Sequence, residues 1–423
     1  MRALFISNHF PHDPATSVFG VFKRMGMFIE AASRLVDELD MLFYVPSGFD
    51  VSQPEVARMQ VLLREMWGPK VNLFMVRHAR NPNAQSNWEQ YGAGIFSIFR
   101  QEDSYRVSGP EQVRALNDCL ARKPDWILAH RLHAMCPLLR TAQPLPPIYL
   151  DLDDIEHRAH FRRVTNYPRW AGERLKVLHT PALRAAELRA IRLAHSAFVC
   201  SDTDRDYLQS KAKSGNVLTV PNSVPIPIEA DDFCMAPNLL FLGTFVHRPN
   251  IQAADFLVEM IWPLIRAQVP EARLIIAGGD AQRLKHFHAP TAGVDYVGFV
   301  SDLDALYRDV RVVCCPILTG AGTRIKIVEA AAHGKAIVST TLGAEGLQLN
   351  NEQAILLRDD AASFAQACVQ LLGDRSRCDS LGAAARFEAM HRYDRQAVVA
   401  QITTHIGSTL RRVGPIQTTM ANR

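Results

Sequence analysis

The chain has 423 residues, too many for one ordinary domain, so two or three are expected. Apolar residues make up 48% and charged residues 21%, the balance of a soluble globular protein. A formal net charge of +4 is too small to argue for nucleic acid, and no stretch reaches the ~18 apolar residues that a membrane-spanning helix needs.

The N-terminus, MRALFISNHFPHD, has too short an apolar run for a signal peptide and reads as a first β-strand, Arg2 to Ser7. A loop with two prolines follows. Val18 to Val36 then forms an amphipathic helix, with Phe19, Phe22, Met25, Ile29 and Ala32 on one stripe. Leu39 to Val45 is a strand, Glu55 to Met66 a helix with Pro54 suited to its first turn, and Val71 to Arg77 a strand. This alternation argues for a parallel sheet covered by helices. Asn81 to Pro110 is aromatic and weakly periodic; it reads either as an acceptor-binding insertion or as irregular packing. Glu111 to Arg122 is a helix. Short strands at Trp126–Ala129 and Pro147–Leu150 end in His130-Arg131 and in the acidic run Asp151 to Glu156.

Ligands of open α/β sheets sit at the carboxyl ends of strands, which draws attention to His130, Asp151 and Asp153. A carboxylate there accepts hydrogen bonds from a ligand or stabilises developing positive charge; the bland alternative is an N-cap cluster for the next helix. Asp151-x-Asp153 also matches a pattern of paired carboxylates on a divalent ion, but so short a match is common by chance. From Glu156 to His195 the chain is strongly basic, with Arg158, Arg162, Arg163, Arg169, Arg174, Lys176, Arg184, Arg189 and Arg192 against three glutamates. It is either a solvated helix hairpin or a peripheral surface for anionic lipid or a lipid-linked diphosphate. Pro181 interrupts its pattern. Ser196 to Cys200 is a strand, and Val217 to Val220 leads into Pro221-Asn222-Ser223-Val224 and a Pro- and Asp-rich linker to Pro237.

The alternation then restarts. Asn238 to Gly243 is a strand, Ala253 to Ala267 a helix and Arg273 to Gly278 a strand. Val294 to Phe299 is a short strand, and Gly278-Gly279 permits close backbone approach. Val310 to Cys315 is a buried strand. After it, Gly320 and Gly322 free the backbone to turn, and Thr323 suits the N-cap of a helix ending near His333, with Gly334 beyond it. Such a helix start binds anions, and Arg324 and Lys326 add positive charge where the helix dipole opposes it. A bound phosphate explains them. Lys326, Glu329 and His333 share one face, so Lys326 is placed for a phosphate and Glu329 for sugar hydroxyls; the alternative is an exposed Lys–Glu pair. A strand at Ala354–Leu357, helices from Ala361 to Met390 and a last helix from Asp394 to Arg412 complete the chain, and Gly414 to Arg423 reads as a disordered tail. The eight cysteines contain no C-x-x-C pair and no metal-like spacing, which points to a reducing cytoplasm.

The stretch from Pro316 to Leu347, PILTGAGTRIKIVEAAAHGKAIVSTTLGAEGL, resembles the donor-binding segment of family-four GT-B glycosyltransferases, retaining enzymes that use nucleotide-sugars. The usual Glu-x7-Glu motif is half present. Glu329 matches its second glutamate, the first falls at Ala321, and a G-x-G-x-R-x-K loop stands in its place. The resemblance implies two Rossmann-like domains facing across a cleft, with a last helix crossing back to the first. An acceptor-binding domain spans 1–224, a nucleotide-sugar-binding domain 225–393, the crossover helix 394–412 and a tail 413–423. It implies a donor diphosphate held by Arg248 and Lys326, with Gly320, Gly322, Thr323 and Arg324 around it. Glu345 and Gly346 lie in the Gly-Ala-Glu-Gly-Leu loop, and Gly298 lies near the base. Gly20 and His130 fall on the acceptor side, while Asp151 or Asp153 takes the place where many members carry a histidine. The implied activity is retaining transfer of a sugar from a nucleoside diphosphate sugar to a glycan or lipid-linked acceptor, in cell-envelope or exopolysaccharide synthesis. No metal and no cofactor are expected, since cationic side chains neutralise the leaving group. A nucleotide-sugar epimerase of the same fold and a non-catalytic subunit of a polysaccharide-synthesis complex are the other readings.

Overall fold

The computed structural model describes residues 1–13, 20–80, 92, 94–166, 168, 170–212, 215–229, 234–289 and 291–413. The expected helix start at Val18 and Phe19, most of the 81–93 stretch, Arg169 and the tail beyond 413 lie outside the described residues. The chain divides into two compact units. One is Met1–Val220 together with the described residues from Val399 onward; the other is Pro221–Val398.

Each unit is built on a parallel sheet. Parallel strands are covered on both faces, so they need near-continuous apolar runs. Ala3–Ile6 and Val312–Cys315 are such runs, every residue 0% exposed. Among its described residues the first unit holds seven strands: β1 (Arg2–Ser7), β2 (Glu38–Val45), β3 (Val71–Arg77), β4 (Trp126–His130), β5 (Ile148–Asp153), β6 (Ser196–Val199) and β7 (Val217–Thr219). Their order is β3-β2-β1-β4-β5-β6-β7. The order reverses between β1 and β4, which pair with Ala3 opposite Trp126. The loops leaving the carboxyl ends of these two strands therefore diverge and leave a crevice between them.

β5 is longer than its apolar run suggests. It continues through Asp151 to Asp153, because the buried Arg24 and the half-buried Arg131 pair with the two carboxylates, and a register shift against β6 falls between them. Among its described residues the irregular stretch before Pro110 holds a 3₁₀ turn, Ile98–Arg100, and a helix, Glu102–Ser108. The last helix, Arg395–Val413, begins in the second unit and belongs to the first from Val399 on. There His405 Nε2 lies 2.9 Å from Ser196 Oγ, and Thr409 Oγ1 lies 2.5 Å from the Tyr149 hydroxyl.

The second unit repeats the arrangement with β8 (Asn238–Leu242), β9 (Arg273–Ala277), β10 (Val294–Gly298), β11 (Val312–Cys315), β12 (Ala336–Ser339) and β13 (Leu356–Leu357). Their order is β10-β9-β8-β11-β12-β13, with the reversal between β8 and β11. The helix after β8 starts at Arg248, earlier than its apolar pattern, because Pro249 is pre-shaped for a first turn. Gly278 meets protein backbone rather than a ligand: a Cβ there would lie 1.7 Å from the Gly243 carbonyl oxygen. No helix among the described residues is long and apolar enough to cross a membrane.

Candidate functional site

The β8–β11 reversal gathers most of the second unit's candidates. The loop from β11 runs over Gly320 and Gly322, whose φ angles of 107° and 75° fall where L side chains are strained. The helix that follows is Ile325–Ala332, with His333 at its C-cap and Gly334 at a φ of 68°. Its N-cap is the backbone of Arg324, not Thr323. The Thr323 hydroxyl is instead engaged by Asn222, whose Nδ2 donates to it at 2.8 Å, and this draws it away from the helix start. Arg324 is also used internally: its guanidinium donates to the carbonyls of Ala321 and Gly322. It closes the glycine loop upon itself instead of extending towards an anion.

Lys326 is held differently. It is half-buried in the first turn of the helix, and its Nζ donates to Asn250 Oδ1 at 2.9 Å and stands 4.5 Å from the centre of the Phe241 ring. Among the described residues no carboxylate pairs with it. Burial pushes the amine down to about 8, against the opposing effect of Cys315; Arg324 then adds to the lowering and Glu329 opposes it slightly. A side chain that is costly to charge and lacks a counter-ion is suited to an anionic ligand. Two further ties join the loops around it. Thr319 Oγ1 donates to Gln252 Oε1 at 2.9 Å, and Thr340 Oγ1, just after β12, donates to the Ile317 carbonyl at 2.5 Å. The loop bearing Glu345 and Gly346 is thus fastened to the glycine loop, and a Cβ at Gly343 would meet Ser339 Oγ at 2.4 Å.

Glu329 lies one turn beyond Lys326 and is only 8% exposed, so the exposed-pair alternative does not hold. Near it the buried Tyr307 ring stacks on His333 at 4.4 Å. Arg248, by contrast, is exposed at the first position of its helix, two residues before Asn250. Gly298 ends β10, and its carbonyl accepts from Gly278 N at 2.6 Å. It lies two strands from β8, towards the sheet edge.

In the first unit the expected ligand carboxylates are taken up by protein. Asp151 is 0% exposed, and its Oδ1 accepts from Arg24 Nε at 2.8 Å, with Arg24 Nη2 2.7 Å away. Asp153 pairs with Arg131 and lies 3.4 Å from Arg24 Nε. Burial raises Asp151 to about 6 despite Arg24. Burial also acts to raise Asp153, but Arg131 and then Arg24 outweigh it and hold this carboxyl below its ordinary range. His130 is 1% exposed, with Nδ1 2.8 Å from Ser7 Oγ, and burial keeps it well below the usual imidazole value. Gly20 is exposed at the start of the helix Gly20–Ser33, which carries Arg24. Arg131 and Asp153, ion-paired to each other, both have positive φ, 68° and 60°. Such strain collects at functional positions. Asp153, Asp154 and the Cys200 thiol also lie within 4.8 Å of one another. Of these three, Asp153 is already paired with Arg131.

The basic region folds as the helix Glu156–Asn166, a 3₁₀ stretch Ala171–His179 and the helix Thr180–Leu193. Two of its three glutamates turn inward. Glu187 is 0% exposed and accepts from Glu156 N at 2.8 Å and from His157, and Glu173 is 2% exposed and pairs with Arg163 at 2.6 Å. Arg174, Arg184, Arg189 and Arg192 are exposed, and so are Phe161, Trp170, Leu175 and Leu178.

Nothing local in the sequence marks Asn250, Phe241, Arg24 or Arg131. The one signal is Arg24 itself, a charge on a helix whose i+3 and i+4 neighbours are Met27 and Phe28.

Residues 236–374 match the family model of glycosyl transferases group 1. A phosphatidyl-myo-inositol mannosyltransferase of Mycolicibacterium smegmatis is 31% identical over 209 residues, covering 46% of this chain and 52% of that protein. The chain spans about half the length of the curated relatives it matches. Among solved structures, sucrose-phosphate synthase from Thermosynechococcus elongatus matches at a TM-score of 0.69 and 16% identity, over 97% of this chain and 99% of that one. Anabaena HepE in complex with UDP-glucose matches at a TM-score of 0.61 and 15% identity, over 96% and 100%. At these identities the likeness is one of fold: two parallel-sheet, Rossmann-like units of the GT-B glycosyltransferase type.

Proposed function

We propose that this chain is a retaining, metal-independent glycosyltransferase that moves a sugar from a nucleoside diphosphate sugar to a glycan or lipid-linked acceptor in cell-surface polysaccharide synthesis. The observation that carries the reading is Lys326, an ammonium with no carboxylate partner among the described residues, in the first turn of the helix at the β8–β11 reversal. A leaving diphosphate is the anion that such a place accommodates. The match of residues 236–374 to glycosyl transferases group 1 and the fold shared with a UDP-glucose complex support it. In this reading Lys326 and Arg248 neutralise the diphosphate, Gly320 and Gly322 let backbone N–H groups approach the sugar, and Glu329 and the Glu345–Gly346 loop hold the nucleoside. A donor phosphate oxygen takes the acceptor's proton on the same face, so configuration is retained. The carboxyl ends of β1, β4 and β5, near Gly20 and His130, form the acceptor side, and Asp151 and Asp153 brace it.

The test is release of nucleoside diphosphate from a panel of UDP-, GDP- and ADP-sugars, with and without acceptor glycan, after exhaustive chelation. Acceptor-dependent release with an unchanged anomeric configuration is expected. Conversion of the donor without acceptor would mark an epimerase, no release a non-catalytic subunit, and rescue by Mn²⁺ a metal enzyme.

Glu329→Gln keeps the side-chain shape and removes the charge. It is expected to weaken donor binding by ~1.5–3 kcal/mol while leaving the ligand-free melting temperature unchanged. An equal loss of ligand-free stability would make Glu329 a structural residue. The exposed cations of 174–192 and the exposed apolar side chains of the same region support peripheral contact with an anionic bilayer on the cytoplasmic side. The chain is therefore expected to sediment with phosphatidylglycerol vesicles at low salt and not with phosphatidylcholine. The double substitution Arg184→Glu, Arg189→Glu should abolish this; equal sedimentation of the variant would remove the region from any lipid role.

A further inference from the structure

Lys326 is oriented by a side chain that the sequence does not single out. The Asn250 carboxamide is pinned at its nitrogen end, where Nδ2 donates to the Thr244 carbonyl at 2.9 Å. That bond settles which way the amide points and leaves Oδ1 facing Lys326 Nζ at 2.9 Å. From below, the amide rests on Gly243, where a Cβ would come within 2.9 Å of Asn250 Cγ. On its other side the ammonium meets the Phe241 ring. Phe241 comes from β8, Asn250 from the helix after β8 and Lys326 from the helix after β11, so the contact spans the reversal point of the sheet.

The partner's chemistry is informative. A carboxylate would hold the amine equally well and would neutralise it. A carboxamide oxygen and a ring face both accept the ammonium's hydrogen or charge without carrying a full negative charge of their own. We propose that Asn250 is the positioning residue for Lys326, holding its ammonium in place over Phe241 while leaving its charge uncompensated for a diphosphate. This deepens the reading of Lys326 as the contact to the donor's leaving group and rests on it. The titratable groups acting on the amine are Cys315 from β11, Arg324 at the N-cap of its own helix and Glu329 within that helix; Phe241 from β8 and Asn250 from the helix after it are neutral, and that helix also carries the exposed Arg248 at its first position.

The experiment compares the full-length protein with Asn250→Asp and Asn250→Ala, each checked for an unchanged melting temperature. The Lys326 amine is titrated without ligand, by pH-dependent competitive acetylation read by mass spectrometry. Wild type is expected to titrate near 8, and Asn250→Asp at least about one pH unit higher, since an adjacent carboxylate favours the ammonium. Inorganic pyrophosphate and UDP serve as binding probes. Asn250→Asp keeps the hydrogen bond and neutralises the charge, so both probes should bind about tenfold more weakly, one pKa unit corresponding to one factor of ten. Asn250→Ala should weaken binding less and broaden the pH dependence. Should Asn250→Asp not fold, Asn250→Ser with the same two readouts replaces it. An identical Lys326 titration in all folded variants overturns the inference. Pyrophosphate and UDP binding unaffected by Lys326→Ala overturns instead the underlying reading, and the titration result then stands by itself.

Discussion

Lys326→Ala is expected to lower turnover of the true donor about 100-fold, the usual effect of removing one preorganised charge from a developing anion. The amine sits where the diphosphate is proposed to leave, and no carboxylate among the described residues competes for it. Removing it should leave the melting temperature unchanged or slightly raised. The sign follows from the amine's titration. Its value falls from 10.5 to about 8 in the folded chain, so the ammonium is disfavoured by folding. That penalty is fully present below about pH 8 and disappears as the pH rises towards 10.5, so at neutral pH the alanine variant relieves it. The same titration governs donor affinity in the wild type. A diphosphate prefers the ammonium, so affinity should be highest below about pH 8 and fall as the pH rises through it. Retained turnover with the true donor, or a flat pH profile of donor binding that Lys326→Ala leaves unaltered, would remove Lys326 from the site.

Arg24→Ala should produce the largest loss of stability. The guanidinium is buried between two buried carboxylates and also donates to the Val220 carbonyl at 2.8 Å. Breaking a buried ion pair by deleting one partner costs about 3–5 kcal/mol, because the other charge is left stranded. At roughly 2–4 °C per kcal/mol for a unit of this size, the first unit should melt about 10 °C lower. Asp151→Asn is the companion test. With the carboxylate serving Arg24, the substitution should destabilise in the same direction, to a smaller degree because the amide still accepts a hydrogen bond. A lost activity with an unchanged melting temperature would return Asp151 to the role of a sugar-binding carboxylate.

The alternation of strands and helices is written locally. Apolar runs such as Ala3–Ile6 and Val312–Cys315 can only be strands covered on both faces, and the order of elements then admits few sheets. Gly320 and Gly322 were legible for the same reason: a positive φ is a property of one residue, and glycine is the residue that tolerates it. Pairings between distant side chains are different in kind. Asp151 at a strand end reads as a ligand group until Arg24, 127 positions earlier, is brought against it by the placement of β1 beside β4 and β4 beside β5. Thr323 reads as a helix cap until Asn222, 101 positions away, takes its hydroxyl, and Lys326 reads as a phosphate ligand with no sign of Asn250, 76 positions away, or of Phe241, which hold it. By itself, then, the sequence determined the elements, the glycine loop and the residue types at the site. Which charge is spent within the protein and which is left for a ligand was decided only by the tertiary structure, because a charge is compensated by whatever lies within a few ångströms of it, and chain separation does not report that distance.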